Sequence, residues 1–432
     1  MSLRHAFSRA AVLLTMIALS ARPVLASPAT ARQREDPLPA TAAELRALRH
    51  GGDLHTQRRL AWQIITSLTD SAAGEDRPRF ESWHGEDEVF GDGAVEHART
   101  GISGFSRSSS SDHAEDPSSD DASQIGDVPV LTYALYDDAA YDHIRDQQLN
   151  RRAELERLRR TGVVDTMVAG DRSIPPFPTG ATVLKTVWWP VAAAALSALP
   201  VWDPDRNPIG RGGNDYLGWP RVVAVDATRA ADRPAFVSID FAGRTFPHAQ
   251  RIELAAFCHV MVDAEMADRL SRDRSARKTA LVALGRPLAA GDYLVLVSAN
   301  LASKEIDDWV WATFWWHDRP DEGAFAADRP AALQGAWRNY LMQVAFDSTI
   351  PAAADGGPHA CFDPWLEGRF PDGGHGAGAV SNCMTCHRRA SYPAVDFLPV
   401  TRGEPDLAGD PAYAPGRLRT GMLWSIALHA RP

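Results

Sequence analysis

The chain reads as an α+β protein in which a helical N-terminal part precedes a largely antiparallel sheet with supporting helices. Three observations predict this. Apolar residues recur at helical spacing between Asp53 and Thr69. Extended runs rich in β-branched and aromatic residues, separated by Gly, Pro and Asp, fill residues 174–316. Near the C-terminal end, Ser381 to Ala390 brings two cysteines and a histidine together in Cys383-Met384-Thr385-Cys386-His387. The 432 residues suffice for one large or two ordinary domains.

The first 26 residues have the order of a secretory signal. Arg4 and Arg9 precede the apolar run Ala10 to Leu19, and small residues end in Val24-Leu25-Ala26, where cleavage is expected. That run is well short of the ~20 residues that span a bilayer, and Arg22-Pro23 interrupts its continuation. No later stretch is apolar enough to span. A mature chain in an exported compartment, the bacterial periplasm, with no transmembrane segment, is the expectation. The formal charge of −10 becomes −13 without the three arginines of residues 1–26, which argues against a nucleic-acid partner.

Residues 27–105 read as a helical N-terminal region. Asp53 caps a helix to about Thr69 with Leu60, Ala61, Ile64, Ile65 and Leu68 on one face. Arg79 to Phe90 mixes aromatics and acids in a loop-like run, and its His84 reads as a packed or surface side chain. Residues 106–127 are rich in serine and acid and read as a linker or loop. The remaining domain, 128–432, opens on a charged helix from Asp137 or Asp138 through Leu158, ended by Gly162. After the prolines of Ile174 to Pro178, strands are expected at Thr182 to Trp189, Arg221 to Val225, Ala235 to Asp240, Tyr293 to Ser298 and Trp309 to Trp316. Pro330 then opens an expected helix with Leu333, Trp337, Tyr340, Leu341 and Val344 on one stripe. A long loop through the glycines of residues 373–378 leads to the cysteine motif.

C-x-x-C-H is the pattern of covalent c-type haem attachment. Two thiols three positions apart reach the vinyl groups on one porphyrin edge, while the adjacent imidazole turns under the ring to the iron. One haem c per chain, tethered by Cys383 and Cys386 with His387 as proximal iron ligand, is the expectation. For the sixth iron position the sequence offers His259, His317, His359, His375, His429, Met342 and Met422, or no protein ligand. His317, after the tryptophan strand, and His375, in the glycine loop, have the best opportunity as distal ligands. Trp309, Trp311 and Trp315 share one strand face, and Phe314 and Trp316 share the other. They wall a haem pocket or fill an aromatic sheet core. Of the three lysines, Lys185, Lys278 and Lys304, each reads more simply as a surface or salt-bridged amine. Cys258 and Cys361 remain, as one bridge or as two buried thiols.

The late motif, behind a strand-rich region, does not suit small helical cytochromes c or four-helix cytochromes c-prime. With Phe177 to Trp188, Asp308 to Trp316, Cys383 to His387 and Asp396 to Arg402, the chain resembles the cytochrome P-460 group and the beta-sheet cytochromes c-prime. The resemblance implies a haem against an antiparallel sheet, His387 as proximal ligand and an open or capped distal side. Some members of that group cross-link a lysine to the porphyrin and oxidise hydroxylamine, and others bind nitric oxide; by the resemblance Lys304 is the catalytic candidate for the cross-link. Asp307-Asp308 stands where that family carries a glycine pair.

The function expected from these readings is an exported monohaem cytochrome, passing single electrons to a redox partner protein or a small-molecule oxidant or reductant. The alternative is a haem-dependent oxidoreductase or gas-binding protein with an open distal site, acting on a small nitrogen or oxygen species. A third reading is a zinc or structural protein using Cys383 and Cys386 with Cys258 and Cys361.

Overall fold

In the computed structural model, the described residues are 42–51, 53–69, 78–91, 103–105, 129–164, 171–203, 215–228, 234–331, 333–346, 361–367, 382–394 and 413–432. The expected signal sequence, the serine-rich segment 106–127, His359, His375 and Asp396 to Arg402 lie outside them. Among the described residues no helix is long and apolar enough to cross a membrane.

The architecture is α+β: N-terminal helices and a large antiparallel sheet flanked by helices. Helices α1 (Ala42–Gly51) and α2 (Leu54–Thr69) come first, then α3 (Glu86–Phe90), α4 (Asp138–Asp146) and α5 (Arg152–Thr161). The short β1 (His84–Gly85) and β2 (Ser103–Phe105) precede β3 (Val130–Tyr136). Two-residue strands β4 (Val163–Val164) and β5 (Arg172–Ser173) follow, then β6 (Thr182–Val191), β7 (Ser197–Val201), β8 (Arg221–Asp226), β9 (Phe236–Phe241), β10 (Arg244–Glu253) and β11 (His259–Met261). Helices α6 (Ala264–Arg272) and α7 (Arg274–Leu284) lead to β12 (Tyr293–Ser303), β13 (Val310–Trp316) and β14 (Tyr340–Ala345). The last elements are α8 (Pro364–Glu367), α9 (Cys383–His387), β15 (Ser391–Tyr392), β16 (Leu418–Arg419) and α10 (Trp424–His429).

The main sheet runs β1-β3-β6-β12-β13-β14, with β2 on β3 and β11 on β12, and its pairs are antiparallel. Two four-stranded sheets, β7-β8-β10-β9 and β15-β16-β5-β4, each contain one parallel pair. Side chains alternate across a strand, so a sheet covered on both sides must be apolar at consecutive positions. The sequence V-W-A-T-F-W-W of β13 meets that demand, and all seven residues are buried. Leu135, Leu184, Leu301, Ala312 and Phe314 enter the larger core, where Trp62 of α2 meets Phe314 edge-on at 5.1 Å. Tyr136, Val183, Ala302 and Trp311 enter a second core on the opposite face, shared with α4, α5 and the C-terminal elements.

Four expectations are corrected. Trp309 does not begin the strand, because its φ of 63° is left-handed and β13 starts at Val310. The charged helix of 137–162 is two helices. The chain turns at Gln148, φ 52°, and the Leu149 amide returns to the Ile144 carbonyl at 2.8 Å. Residues 79–90 are not a loop but a 3-10 turn, β1 and α3, with His84 held between Glu88 and Asp138 and stacked on Tyr141. The stripe after Pro330 is a 3-10 turn over Gly335–Asn339 followed by β14, where Tyr340 to Ala345 pairs with β13 and is buried throughout. A short apolar run carries no period that separates buried strand from buried helix, and the open edge of β13 decides for strand.

Asp137 ties helix and sheet. Its carboxylate accepts from the Ala140 amide at 2.8 Å, capping α4, and from the Thr182 amide at 2.9 Å at the start of β6. Asp137→Ala leaves both donors without this partner and should cost about 2 kcal/mol. Urea denaturation measures the loss; a change within about 0.3 kcal/mol would show that water replaces both bonds.

A candidate pocket beside the Cys383 to His387 turn

Antiparallel register sets side chains from successive strands in rows across one sheet face. One row runs Ala134, Lys185, Asn300, Thr313; the next runs Tyr136, Val183, Ala302, Trp311. Over these rows lie α9 and α10, and between sheet and helices is a cavity of about 390 Å³. Its wall is mostly apolar, including Val183, Leu301, Trp311, Leu423 and Trp424. Lys185, Asn300, Asp363, Glu367, Cys383, Cys386 and His387 supply its polar groups, and Glu86 and His429 complete it. The last two form an ion pair at 3.2 Å when the imidazole is protonated.

The motif occupies one helical turn. Asn382 caps it, accepting from the Met384 amide at 2.9 Å, and Met384 is fully buried beneath. His387 is fixed on two sides: Nδ1 is 2.8 Å from the Met422 carbonyl, which requires a proton on that nitrogen, and the ring lies 4.1 Å from Trp311 at 38°. The Cys383 amide donates to the Cys361 carbonyl at 2.9 Å, and its Sγ lies 3.1 Å from the same oxygen. The two sulfurs of Cys361 and Cys383 are 3.6 Å apart, with Thr313 Oγ1 3.8 Å from Cys383. The contact with Cys361, followed by burial, holds the Cys383 thiol well above the usual range.

Asp363 anchors the polar end. It precedes Pro364, the first residue of α8, and its Oδ1 accepts from the Trp365 and Leu366 amides at 2.8 and 3.3 Å. Its Oδ2 accepts from Ser298 and Asn300, both at 2.6 Å, while Asn300 also accepts from Thr313 at 2.8 Å. The four donors favour the carboxylate, yet burial outweighs them and raises its pKa. Tyr133, on the same wall, is pushed up to about 12 by burial and by the nearby Glu88 and Asp87.

The other expected site residues are dispersed. His317 lies about 20 Å along the strand direction from Trp311, six residues on. It is buried among Arg221, Asp318 and Arg319. Lys304 donates to the Asp307 carbonyl and sits 5.8 Å from the Trp309 ring centre, outside the cavity wall. Its pKa is lowered by burial. Met342 is fully buried within β14, Met422 offers its carbonyl to His387, and His259, on β11, turns to the Phe257 carbonyl. The Cys258 thiol packs by Tyr340, and no disulfide joins the four cysteines in this structure.

Among the described residues, no group of three or more His, Cys, Asp or Glu side chains is placed to hold a metal ion. The C-x-x-C-H sequence stands, but the haem c assignment is corrected on that finding. With it go the monohaem electron carrier, the haem-dependent oxidoreductase or gas-binding alternative, the resemblance to the cytochrome P-460 group and the zinc reading. No protein-family model matches the chain, and neither a curated protein nor a solved structure matches it.

Sequence reasoning missed Cys361 as the neighbour of Cys383, and Asp363 and Lys185 as pocket residues. Cys361-Phe362-Asp363-Pro364-Trp365 did carry a signal, a capping acid before a proline at a helix start.

A raised folded pKa means that the Asp363 proton stabilises the fold below about pH 4, and that this contribution is lost as pH rises through the folded value. Asp363→Asn has no such proton, so the stability of wild type relative to this variant should fall as pH rises above 4 and then level off. Urea titrations from pH 4 to 8 measure the difference. A relative stability that increases over this range would mean that the four donors win over burial.

Proposed function

We propose that this protein binds a compact, largely apolar small molecule in the cavity between the main sheet and the Cys383 to His387 turn, and that it does so in an exported compartment. The observation that carries the reading is the cavity itself. At about 390 Å³ it lies within the usual range for small-molecule sites, and its largely apolar surface is interrupted by polar side chains that can orient a ligand. The floor is a rigid sheet face, so shape selects the ligand's body. Lys185, Asn300 and His387 select its polar end. Lys185 and Asn300 are register neighbours, which places an amine and an amide side by side on the floor. A ligand with an acceptor group at one end and a flat apolar remainder fits that distribution, with Trp311 offering a ring face. Export is supported by the N-terminal residues 1–26.

Ala134 is half-buried at the margin of the second core and lines the cavity beside Lys185, so a large side chain there occupies the space. An environment-sensitive naphthalene sulfonate dye should bind one site per chain, and Ala134→Trp should weaken it tenfold or more, about 1.4 kcal/mol. Fluorescence titration reads the affinity, and near-ultraviolet circular dichroism checks that the fold is unchanged. Equal affinity in a folded Ala134→Trp protein would place the dye elsewhere and defeat the reading.

A further inference from the structure

The cavity reading leaves one buried pair of nucleophiles unused. Cys361 and Cys383 lie 22 positions apart, yet their sulfurs are 3.6 Å apart and their backbones are joined by the bond from the Cys383 amide to the Cys361 carbonyl. Cys361 also forms a parallel bridge with Asn382, the residue before Cys383, so the two segments run side by side. A disulfide needs its sulfurs at about 2.05 Å, and neighbouring backbones already aligned bring that distance within reach of side-chain rotation. Cys361 is fully enclosed; Cys383 is buried but faces the cavity, so one sulfur of the pair is reached from outside through it. Cys258 packs beside Tyr340.

We propose that Cys361 and Cys383 form an intramolecular disulfide. Oxidation proceeds by exchange with a small-molecule disulfide. The Cys383 thiolate attacks one sulfur of the oxidant and releases the first thiol of the reagent. The Cys361 thiolate then attacks Cys383 in the mixed disulfide and releases the second. Two protein thiols lose two protons and two electrons, and the oxidant's S–S bond is reduced to two thiols. The raised Cys383 pKa makes this exchange slow at neutral pH and faster as pH rises. The closed bridge fastens the segment leading into α8 to α9 and leaves Cys386 as the thiol of the cavity wall. It does not depend on whether the cavity takes a ligand.

The full chain, refolded in buffers of reduced and oxidised glutathione and also purified from an exporting host without reductant, is alkylated under denaturing conditions and weighed intact. With the bridge, two alkyl groups are added before reduction and four after it, and proteolysis yields a linked pair of peptides containing Cys361 and Cys383. Cys361→Ser should instead leave three alkylatable thiols, and Cys258→Ser should lose one while keeping the bridge. Four free thiols in the oxidised buffer, a link joining Cys383 to Cys386, or a mass on Cys383 that survives reduction would overturn the proposal.

Discussion

The structure depends on a sheet that is buried on both faces. Strands β6, β12, β13 and β14 are apolar at most positions, so alternation sends side chains into each of two cores. Backbone groups at that depth have no water and must be paired within the ladder. The long register between β6 and β12, from Val191 opposite Tyr293 to Thr182 opposite Ser303, supplies this pairing. A one-residue slip would exchange the two faces and move Trp311 from the cavity into the other core. The position of every cavity side chain is therefore fixed by the same pairing that holds the fold.

The polar residues on the sheet follow from that constraint. Gln343, Thr313, Asn300 and Lys185 occupy one row of this buried face, with Ser298 near them. Burying such groups is costly unless they are hydrogen-bonded. Thr313 donates to Asn300, Asn300 to Asp363, and Asp363 also receives Ser298. The chain of bonds ends on α8, which holds Asp363 against the sheet through two of its own amides. The Cys361 segment is thereby placed beside α9. Sheet chemistry, rather than local sequence preference, brings the 361–367 and 382–394 segments together.

Much of the frame was legible in sequence. The alternation of large aromatics in β13 foretold burial on both sides, and the cap at Asp53 foretold α2. The helix reading of Tyr340 to Ala345 failed because six consecutive buried residues satisfy either period. The cysteine motif was legible as a site but not as chemistry. Its reading took the spacing of Cys383, Cys386 and His387 as complete, whereas Cys361, from another segment, engages the first thiol. Lys185 was read as a surface or salt-bridged amine. Here the strand has no exposed face, so the residue borders the cavity. Distances between segments are what a linear pattern lacks, and both misses are of that kind.

The same logic bears on His387. Its ring is held by Trp311 from the sheet and by the carbonyl of Met422, a residue in the left-handed region at φ 68°. A non-glycine residue pays for that conformation, so surrounding contacts must favour it. Leu423 and Ile426, buried just beyond it, anchor the C-terminal segment into the second core, while the Leu423 amide closes on the Thr420 carbonyl at 3.1 Å. Met422 is thus held between Thr420 and Leu423, and its carbonyl accepts from His387. The bond fixes which ring nitrogen carries the proton. It leaves Nε2 as the acceptor when the imidazole is neutral, on a residue that lines the cavity. Orientation of this side chain is imposed from the C-terminal core and from the sheet together, which is why the short turn of Cys383–His387 can present a fixed chemical surface without a long helix beneath it.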